Sequence, residues 1–202
     1  MAKKNHALDD KIIQAAKEEF LKYGFEKASL HEIAKKAGTT TGAIYTRYKG
    51  KDDLFFSLVK EIMDTSRTYA TQMNEEYEQV RQTHDADAFI ATIQQEFQLY
   101  QELLEDHYEA CFLFYCRSQG SQLETMLKQM MDAKTQATVQ FFQSISYTDL
   151  DLDGIGIIMM DQFHFFKAIL EKGYDKEKTI RCMKVVEKYQ EAGWKEIFET
   201  IL

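Results

Sequence analysis

The chain of 202 residues contains no proline, although average usage of about 5% would supply roughly ten. Proline and glycine mark turns, strand edges and irregular loops, and glycine is also sparse here, with nine residues. A multi-stranded β-sandwich needs many such turns, so the composition argues against that architecture. We therefore expect long helices joined by short connections, and an all-α fold class.

The remaining composition is that of a globular protein. Hydrophobic residues make up 45% and charged residues 29% of the chain, which excludes wholesale disorder. No apolar run, residues 155–160 included, approaches the roughly 18 residues of a membrane span, so no membrane partner is expected. Three cysteines without a pattern and no apolar signal segment favour reduced thiols and a cytoplasmic location.

The charge is divided unevenly along the chain. The net charge is −8, yet residues 1–51 hold eleven basic and six acidic residues, a net +5. The rest of the chain carries 14 basic and 27 acidic residues. This asymmetry favours a basic contact module attached to an acidic body, because a local basic patch steers association with DNA whatever the global sign.

Helical periodicity predicts a first helix that starts at Asp9 or Asp10 and ends at Tyr23, with Gly24 as a left-handed stop. The apolar stripe of this helix recurs at helical spacing. Its members are Leu8, Ile12, Ile13, Ala16, Phe20 and Leu21.

A second helix is predicted to open with a capping box at Ser29 and Glu32, in which each side chain accepts a hydrogen bond from the amide of the other residue. Gly38 ends this helix. A short third helix follows through Tyr48, and a long fourth helix starts at Asp52.

Two short helices joined by residues 37–40 are the arrangement that a helix-turn-helix needs. Gly38 permits the positive φ of the turn. The second helix of the pair turns Ile44 and Tyr48 inward and exposes donors suited to phosphates and base edges. These donors are Thr40, Thr41, Tyr45, Thr46 and Arg47.

Several short elements follow one another in register over residues 12–54: Phe-x-x-x-Gly-Phe, a Ser-capped Ile-Ala helix, Ala-Gly, Gly-x-Ile-Tyr and Lys-Asp-x-Leu. They stand at Phe20, Gly24, Phe25, Ser29, Ile33, Ala34, Ala37, Gly38, Gly42, Ile44, Tyr45, Tyr48, Lys51, Asp52 and Leu54. This series resembles the N-terminal domain of tetracycline-repressor (TetR) family regulators. The departures are Thr39, where an aliphatic residue is common, Tyr48 for phenylalanine, and Lys49-Gly50, where relatives commonly place Pro-Ser.

The resemblance implies a helix-turn-helix DNA-binding domain over residues 1–51 and a helical effector-binding and dimerisation domain over 52–202. It implies a homodimeric regulator that binds a palindromic operator in double-stranded DNA and is released by a small-molecule effector; we expect a repressor, with an activator as the alternative. Two half-sites about 34–36 Å apart independently require a symmetric dimer. The predicted DNA-binding residues are Ser29, Thr40, Thr41, Gly42, Tyr45, Thr46, Arg47 and Lys51.

The acidic body carries no comparable signature and is predicted from periodicity alone. Its helices are expected near 74–82, 86–106, 108–118, 121–145, 152–172 and 175–191, with a C-terminal piece to 202. Their expected N-caps are Asp85 or Asp87, Ser121, Asp149 or Asp151, and Asp175, and Gly173 is an expected stop.

Two groups of apolar residues in the body are given functional interpretations, with an ordinary intrachain core as the alternative for each. Aromatic residues and adaptable methionines predict a site for a largely apolar or aromatic effector: Phe97, Tyr100, Tyr108, Phe112, Tyr115 and Met130. The broad apolar surfaces of the last two long helices predict a dimer interface: Ile158, Met159, Phe163, Phe166, Leu170, Met183 and Val186.

Enzymatic motifs are incomplete. His31-Glu32 begins a zinc motif, but position 35 is lysine, and Asp161-x-x-His164 lacks the second pair that a di-iron site needs. No P-loop, nucleophile elbow or dinucleotide turn occurs. We therefore expect no enzyme, no cofactor and no metal. The alternative to a regulator is a helical ligand-binding or protein-interaction module whose DNA-binding half is vestigial.

Overall fold

The computed structural model describes residues 6–83, 85–145 and 151–201. Within these residues the chain forms eight α-helices and no strand, so the predicted all-α class is confirmed. None of the described helices has the length and apolar character needed to cross a membrane. The helices are α1 (His6–Lys27), α2 (Leu30–Lys36), α3 (Thr41–Tyr45), α4 (Lys51–Thr83), α5 (Ala86–Cys116), α6 (Gln122–Ile145), α7 (Leu152–Glu171) and α8 (Lys176–Ile201).

Helix α1 is interrupted at the predicted stop. Gly24 has φ 73° and ψ 169°, values outside the helical region, so the regular helix ends at Tyr23. The amide of Phe25 then donates to the carbonyl of Arg117 at 2.8 Å, and the Phe25 ring is buried. The described part of α1 begins at His6, before the predicted start at Asp9 or Asp10.

Two predicted boundaries in the body are corrected, and the predicted junction at residue 107 is confirmed. Helix α4 continues to Thr83 and includes the segment predicted as a separate helix over 74–82, because neither proline nor glycine interrupts residues 51–83. Helix α8 continues to Ile201 without the predicted break. Helix α5 runs through 86–116, but His107 (φ −134°, ψ 37°) is non-helical, at the junction where two helices were expected.

Four predicted N-caps are confirmed by side-chain bonds to amides two or three residues further on. The bonds join Asp85 to Asp87, Ser121 to Glu124, Asp151 to Asp153 and Asp175 to Lys178, at 2.9, 3.3, 3.0 and 2.7 Å. Asp149, the alternative to Asp151, lies outside the described residues. Gly173 has φ 64°, as a helix stop requires.

The first of two compact units contains the described part of Met1–Met63 together with Glu109–Leu127. Its centre is an aromatic cluster in which the Phe55 ring lies 4.8 Å from Phe20 and 5.3 Å from Phe25, centroid to centroid. This division differs from the boundary predicted at residue 51, because the beginning of α4 supplies part of the core around α1–α3.

Residues 109–127 are joined to the rest of the first unit by backbone bonds. The Arg117 Nε donates to the carbonyl of Leu21 at 3.1 Å, close to the bond between Phe25 and the Arg117 carbonyl. The amide of Gln122, at the start of α6, donates to Oδ1 of Asp52 in the first turn of α4 at 2.8 Å. Contacts so distant in the sequence cannot be predicted from local periodicity.

The second unit contains the described parts of Asp64–Tyr108 and Lys128–Leu202. Its core is largely aromatic. The Phe89 ring stacks on Phe198 with centroids 5.0 Å apart, and Phe142 stacks on Trp194 at 5.5 Å. These rings bring α5, α6 and α8 together, and helix α7 packs on α8.

Candidate nucleic-acid interface

Helix α2 begins where the sequence predicts, because Ser29 caps it. The Ser29 backbone is extended (φ −116°, ψ 120°), and its Oγ accepts a hydrogen bond from the Glu32 amide at 3.4 Å. The Ser29 amide donates to Oε1 of Glu19 at 3.4 Å, and the Glu32 carboxylate instead lies 3.3 Å from Nδ1 of His31. The Ser29 half of the predicted capping box is confirmed, and the Glu32 half is wrong.

Glu19 is a positioning residue that sequence reasoning missed. It is 3% exposed, and its carboxylate accepts a hydrogen bond from Nζ of Lys36 at 3.0 Å as well as the one from Ser29. The two bonds hold both ends of α2 against α1. A signal was available, because Glu19 lies seven residues after Ile12 and therefore on the buried face of α1.

The turn between α2 and α3 has the predicted glycine. Gly38 has φ 67°, and the amide of Thr39 donates to the carbonyl of Ala34 at 2.9 Å. Thr40 then caps α3, because its Oγ1 accepts a hydrogen bond from the Ala43 amide at 3.2 Å. These local bonds fix where α3 starts and which way its side chains point.

Helix α3 presents one buried and one exposed face. Ile44 is fully buried, as predicted, whereas the neighbouring Tyr45 is 59% exposed. The Thr46 hydroxyl donates to the carbonyl of Gly42 at 2.8 Å. Tyr48 is half-buried, and this burial raises the pKa of its phenol. The predicted DNA-binding residues on the exposed face are Thr40, Gly42, Tyr45 and Thr46, while Ser29 and Thr41 are half-buried.

Arg47, which was predicted to contact DNA, forms bonds within the protein itself. Its guanidinium forms an ion pair with the Asp9 carboxylate of α1, and its Nη1 donates to the carbonyl of Ala43 at 3.0 Å. Each side chain of the pair is 22% exposed. The geometry therefore favours a role in holding the end of α3 against α1.

Lys51, at the start of α4, is also engaged within the first unit. Its ammonium donates to the carbonyl of Glu26 at 3.1 Å and lies 4.7 Å from the centroid of the Phe25 ring. Burial lowers the pKa of Lys51. Its amide group, in the first turn of α4, is the part of Lys51 suited to a phosphate.

Lysines dominate the charged surface of residues 6–51. Six of the lysines described there are exposed, while three of the six acidic residues, Asp9, Glu19 and Glu32, are buried or half-buried. Burial of acidic groups beside exposed lysines makes the local surface more positive than the net charge of the segment suggests. The exposed lysines are Lys11, Lys22, Lys27, Lys35, Lys36 and Lys49.

The residues predicted to bind an effector fall in both units. In the second unit, the buried Phe97 and Tyr100 rings lie 6.4 Å apart, and the Tyr108 hydroxyl donates to the carbonyl of Tyr174 at 2.8 Å. Met130 of the same unit is 41% exposed.

The other two predicted effector residues lie in the first unit. The guanidinium carbon of Arg117 is 4.7 Å from the centroid of the Phe112 ring. The Tyr115 ring lies 4.8 Å from that of Phe114. All six assignments stay predictions.

The seven residues predicted for the dimer interface stay a prediction. Four of them are 4% exposed or less within the single chain: Met159, Phe166, Leu170 and Met183. Ile158, Phe163 and Val186 are half-buried. The exposed apolar side chains of the same two helices lie at other positions, namely Ile157, Met160, Val185 and Tyr189, at 65, 45, 69 and 68%.

Both histidine motifs lie at exposed positions. His31 is 78% exposed beside Glu32, and Nδ1 of His164 lies 3.6 Å from the exposed carboxylate of Asp161. Among the residues that the structure describes, no three His, Cys, Asp or Glu side chains are placed to hold a metal ion.

The fold and the exposed face of α3 define a class: a helix-turn-helix head followed by a helical body. Residues 12–58 match the family of bacterial regulatory proteins called the tetR family. An HTH-type transcriptional repressor of Mycobacterium tuberculosis is 36% identical over 64 residues, which are 32% of this chain and 33% of that protein. The chain thus matches only about a third of the length of this curated relative.

Solved structures extend the likeness of fold to nearly the whole chain. A TetR family transcriptional regulator from Chloroflexus aurantiacus has a TM-score of 0.56 at 13% identity, covering 96% of this chain and 89% of its own. NalD of Pseudomonas aeruginosa, the secondary repressor of the MexAB-OprM multidrug efflux pump, has a TM-score of 0.54 at 18% identity, covering 93% and 96%. Residues 12–58 are thus similar in sequence to tetR family regulators, and the described chain is similar in fold to solved regulators of that family.

Proposed function

We propose that the protein is a homodimeric repressor that binds a palindromic DNA operator through α3 and leaves it when a small-molecule effector binds. The exposed polar face of α3 carries the proposal, because Tyr45 projects from it while Ile44 anchors the helix from behind. A recognition helix must present donors to the groove and be held rigidly from its other side. The proposed place of action is the cytoplasm.

In this proposal the residues in and beside α3 have different roles. Tyr45 supplies a hydroxyl for a phosphate, and Thr40 supplies one for a base edge or a phosphate. The Thr46 hydroxyl instead donates to the carbonyl of Gly42. Gly42 allows the DNA backbone to approach because it has no side chain. Arg47 acts through position, since its bonds to Asp9 and Ala43 hold α3 in place.

The dimer is proposed to form through the exposed apolar side chains of α7 and α8, together with the half-buried Ile158, Phe163 and Val186. The Phe165 and Tyr189 rings meet edge to face at 6.3 Å, so the apolar surfaces of the two helices adjoin. A cluster of exposed apolar side chains on one face marks an interaction surface. A two-fold pair of protomers is what a palindromic operator requires.

Release by an effector requires that the ligand bind the two states of the protein unequally. The aromatic second unit is the proposed binding region, because rings with a few polar groups suit a small organic molecule. Finding the same operator affinity with and without a saturating ligand would contradict this part of the proposal.

The experiment that tests DNA binding is a selection from random-sequence DNA at moderate salt with the full chain. We expect enrichment of one two-fold symmetric sequence, whose half-sites are about 10 bp apart or a multiple of that. If no sequence is enriched over input, the alternative holds, and the protein is a helical ligand-binding or interaction module with a vestigial DNA-binding half.

A further inference from the structure

A buried carboxylate lies in the second unit. Glu96 of α5 is 7% exposed, and its Oε1 accepts a hydrogen bond from the Tyr100 hydroxyl at 2.6 Å. The same oxygen is paired with the ammonium of Lys134 of α6. A buried charge is strongly unfavourable unless it is paired and hydrogen-bonded. The site therefore requires a cation.

The cation that occupies the site is held by more than the carboxylate. The Lys134 ammonium lies 5.5 Å from the centroid of the Phe163 ring, within the range of a cation–π interaction. The Tyr100 ring, which orients the carboxylate, packs on Phe166 at 5.1 Å. A carboxylate, a hydroxyl and a ring face thus surround one ammonium group. We call this set of residues, Glu96, Tyr100 and Phe163, the ammonium cage.

The charge of Glu96 also affects the pKa of two further tyrosines. Burial, and after it the charge of Glu96, raises the pKa of Tyr69 and that of Tyr77. Both tyrosines belong to α4.

A groove lies between α4 and α5 of the same unit. Its volume is about 490 Å³, and Tyr69 lines it together with the carboxylates of Asp64 and Glu102. Asp64 also lies 4.0 Å from Arg67. None of the described residues that line the groove is basic. Such a lining favours a cationic ligand over an anionic one.

We propose that the ammonium cage recognises a primary ammonium group on the effector, and that Lys134 occupies the cage while the effector is absent. The exchange keeps the charges balanced, because one ammonium leaves as another enters. Lys134 is suited to leaving, since its side chain is 22% exposed at the edge of the cage and its charged end is well hydrated in water. This inference rests on the effector-binding part of the proposed function.

The test removes Lys134 and supplies its ammonium separately. Lys134→Ala deletes three carbons and the ammonium, and n-propylammonium chloride reproduces those atoms. We expect n-propylammonium to raise the Tm of Lys134→Ala in a concentration-dependent way, by at least about 3 °C at saturation for a chain of this size. Sodium chloride at equal ionic strength and 1-propanol at equal concentration are expected to have no such effect.

Two variants show whether Glu96 and the cage are responsible. The double variant Lys134→Ala with Glu96→Gln is expected to lose the response to n-propylammonium. Lys128→Ala removes an exposed lysine from the same helix and is expected to show no response. Equal Tm shifts with n-propylammonium and sodium chloride in Lys134→Ala would overturn the proposal and leave the Glu96–Lys134 pair a purely structural one.

A second measurement keeps the proposal falsifiable if Lys134→Ala does not fold. Phenethylammonium chloride, titrated into the wild-type protein by calorimetry, is expected to bind, and Glu96→Gln is expected to weaken it at least about tenfold, as loss of a buried charge partner does. Undiminished binding to Glu96→Gln, or no binding to the wild type, would overturn the proposal. Neither measurement contains DNA, so failure here is distinguishable from failure of the proposed operator binding.

Discussion

The ion pair between Asp9 and Arg47 connects α1 to the end of the recognition helix, so its removal tests how α3 is held. Both side chains are 22% exposed, and Arg47 also donates to the carbonyl of Ala43 at 3.0 Å. A hydrogen bond to a charged group contributes about 1.5–3 kcal/mol, and partial exposure places this pair at the lower end of that range. We expect Asp9→Ala and Arg47→Ala each to lower the free energy of unfolding by about 1.5 kcal/mol.

The assay is urea denaturation of the two single variants and of the double variant. Because both substitutions remove the same interaction, the double variant is expected to be only slightly less stable than either single one, with a coupling energy of about 1 kcal/mol. Asp10→Ala is the matched control, since Asp10 is exposed in the same turn of α1, and its effect is expected to stay within about 0.5 kcal/mol. Additive single effects would refute the pairing.

The same variants distinguish a positioning role for Arg47 from direct reading of DNA. If Arg47 positions α3, Asp9→Ala weakens operator binding, because the recognition helix loses its support. If Arg47 instead contacts a base, Asp9→Ala strengthens binding, because it frees the guanidinium and removes a negative charge near DNA. We expect weaker binding by fluorescence anisotropy, and tighter binding would refute the reasoning.

Three further predictions concern the head and the dimer. Glu19→Ala is expected to cost about 2 kcal/mol of unfolding free energy by urea denaturation, because it leaves the half-buried Ser29 amide and the Lys36 ammonium without their acceptor, whereas the exposed Glu18→Ala is expected to be near neutral. Gly38→Ala is expected to cost about 1–2 kcal/mol through its positive φ alone, since a Cβ there meets open space, and a Tm equal to that of Gly50→Ala would contradict this. Val185→Glu is expected to give a monomer by light scattering, and a dimer as stable as that of Lys128→Glu would argue against the α7–α8 surface.

The helix-turn-helix of α2 and α3 could be predicted from sequence because its features are local. A cap at Ser29, a positive-φ glycine at Gly38 and a buried Ile44 each depend on neighbours within a few residues. Where a partner lies far along the chain, prediction failed. The Ser29 amide bonds to Glu19 and not to Glu32, and Asp9 pairs across 38 residues with Arg47.

The body was harder to predict because α7 is apolar on more than one face. Residues 155–160 place Ile155 and Met159 in the core and Ile157 and Met160 at the surface, although all four are equally apolar. Periodicity does not separate these faces when both carry isoleucine and methionine. The tertiary packing of α7 on α8 decides which stripe is buried, and sequence alone does not encode that choice locally.

The measurement that tests the central claim most directly is the operator affinity of Tyr45→Ala against that of Tyr23→Ala, on the sequence recovered by selection. Both tyrosines are exposed in the first unit, at 59% and 45%, but only Tyr45 lies on α3. We predict that Tyr45→Ala weakens binding about tenfold or more with unchanged Tm, while Tyr23→Ala binds like the wild type. Equal affinities for the two variants would contradict the assignment of α3 as the DNA-reading helix.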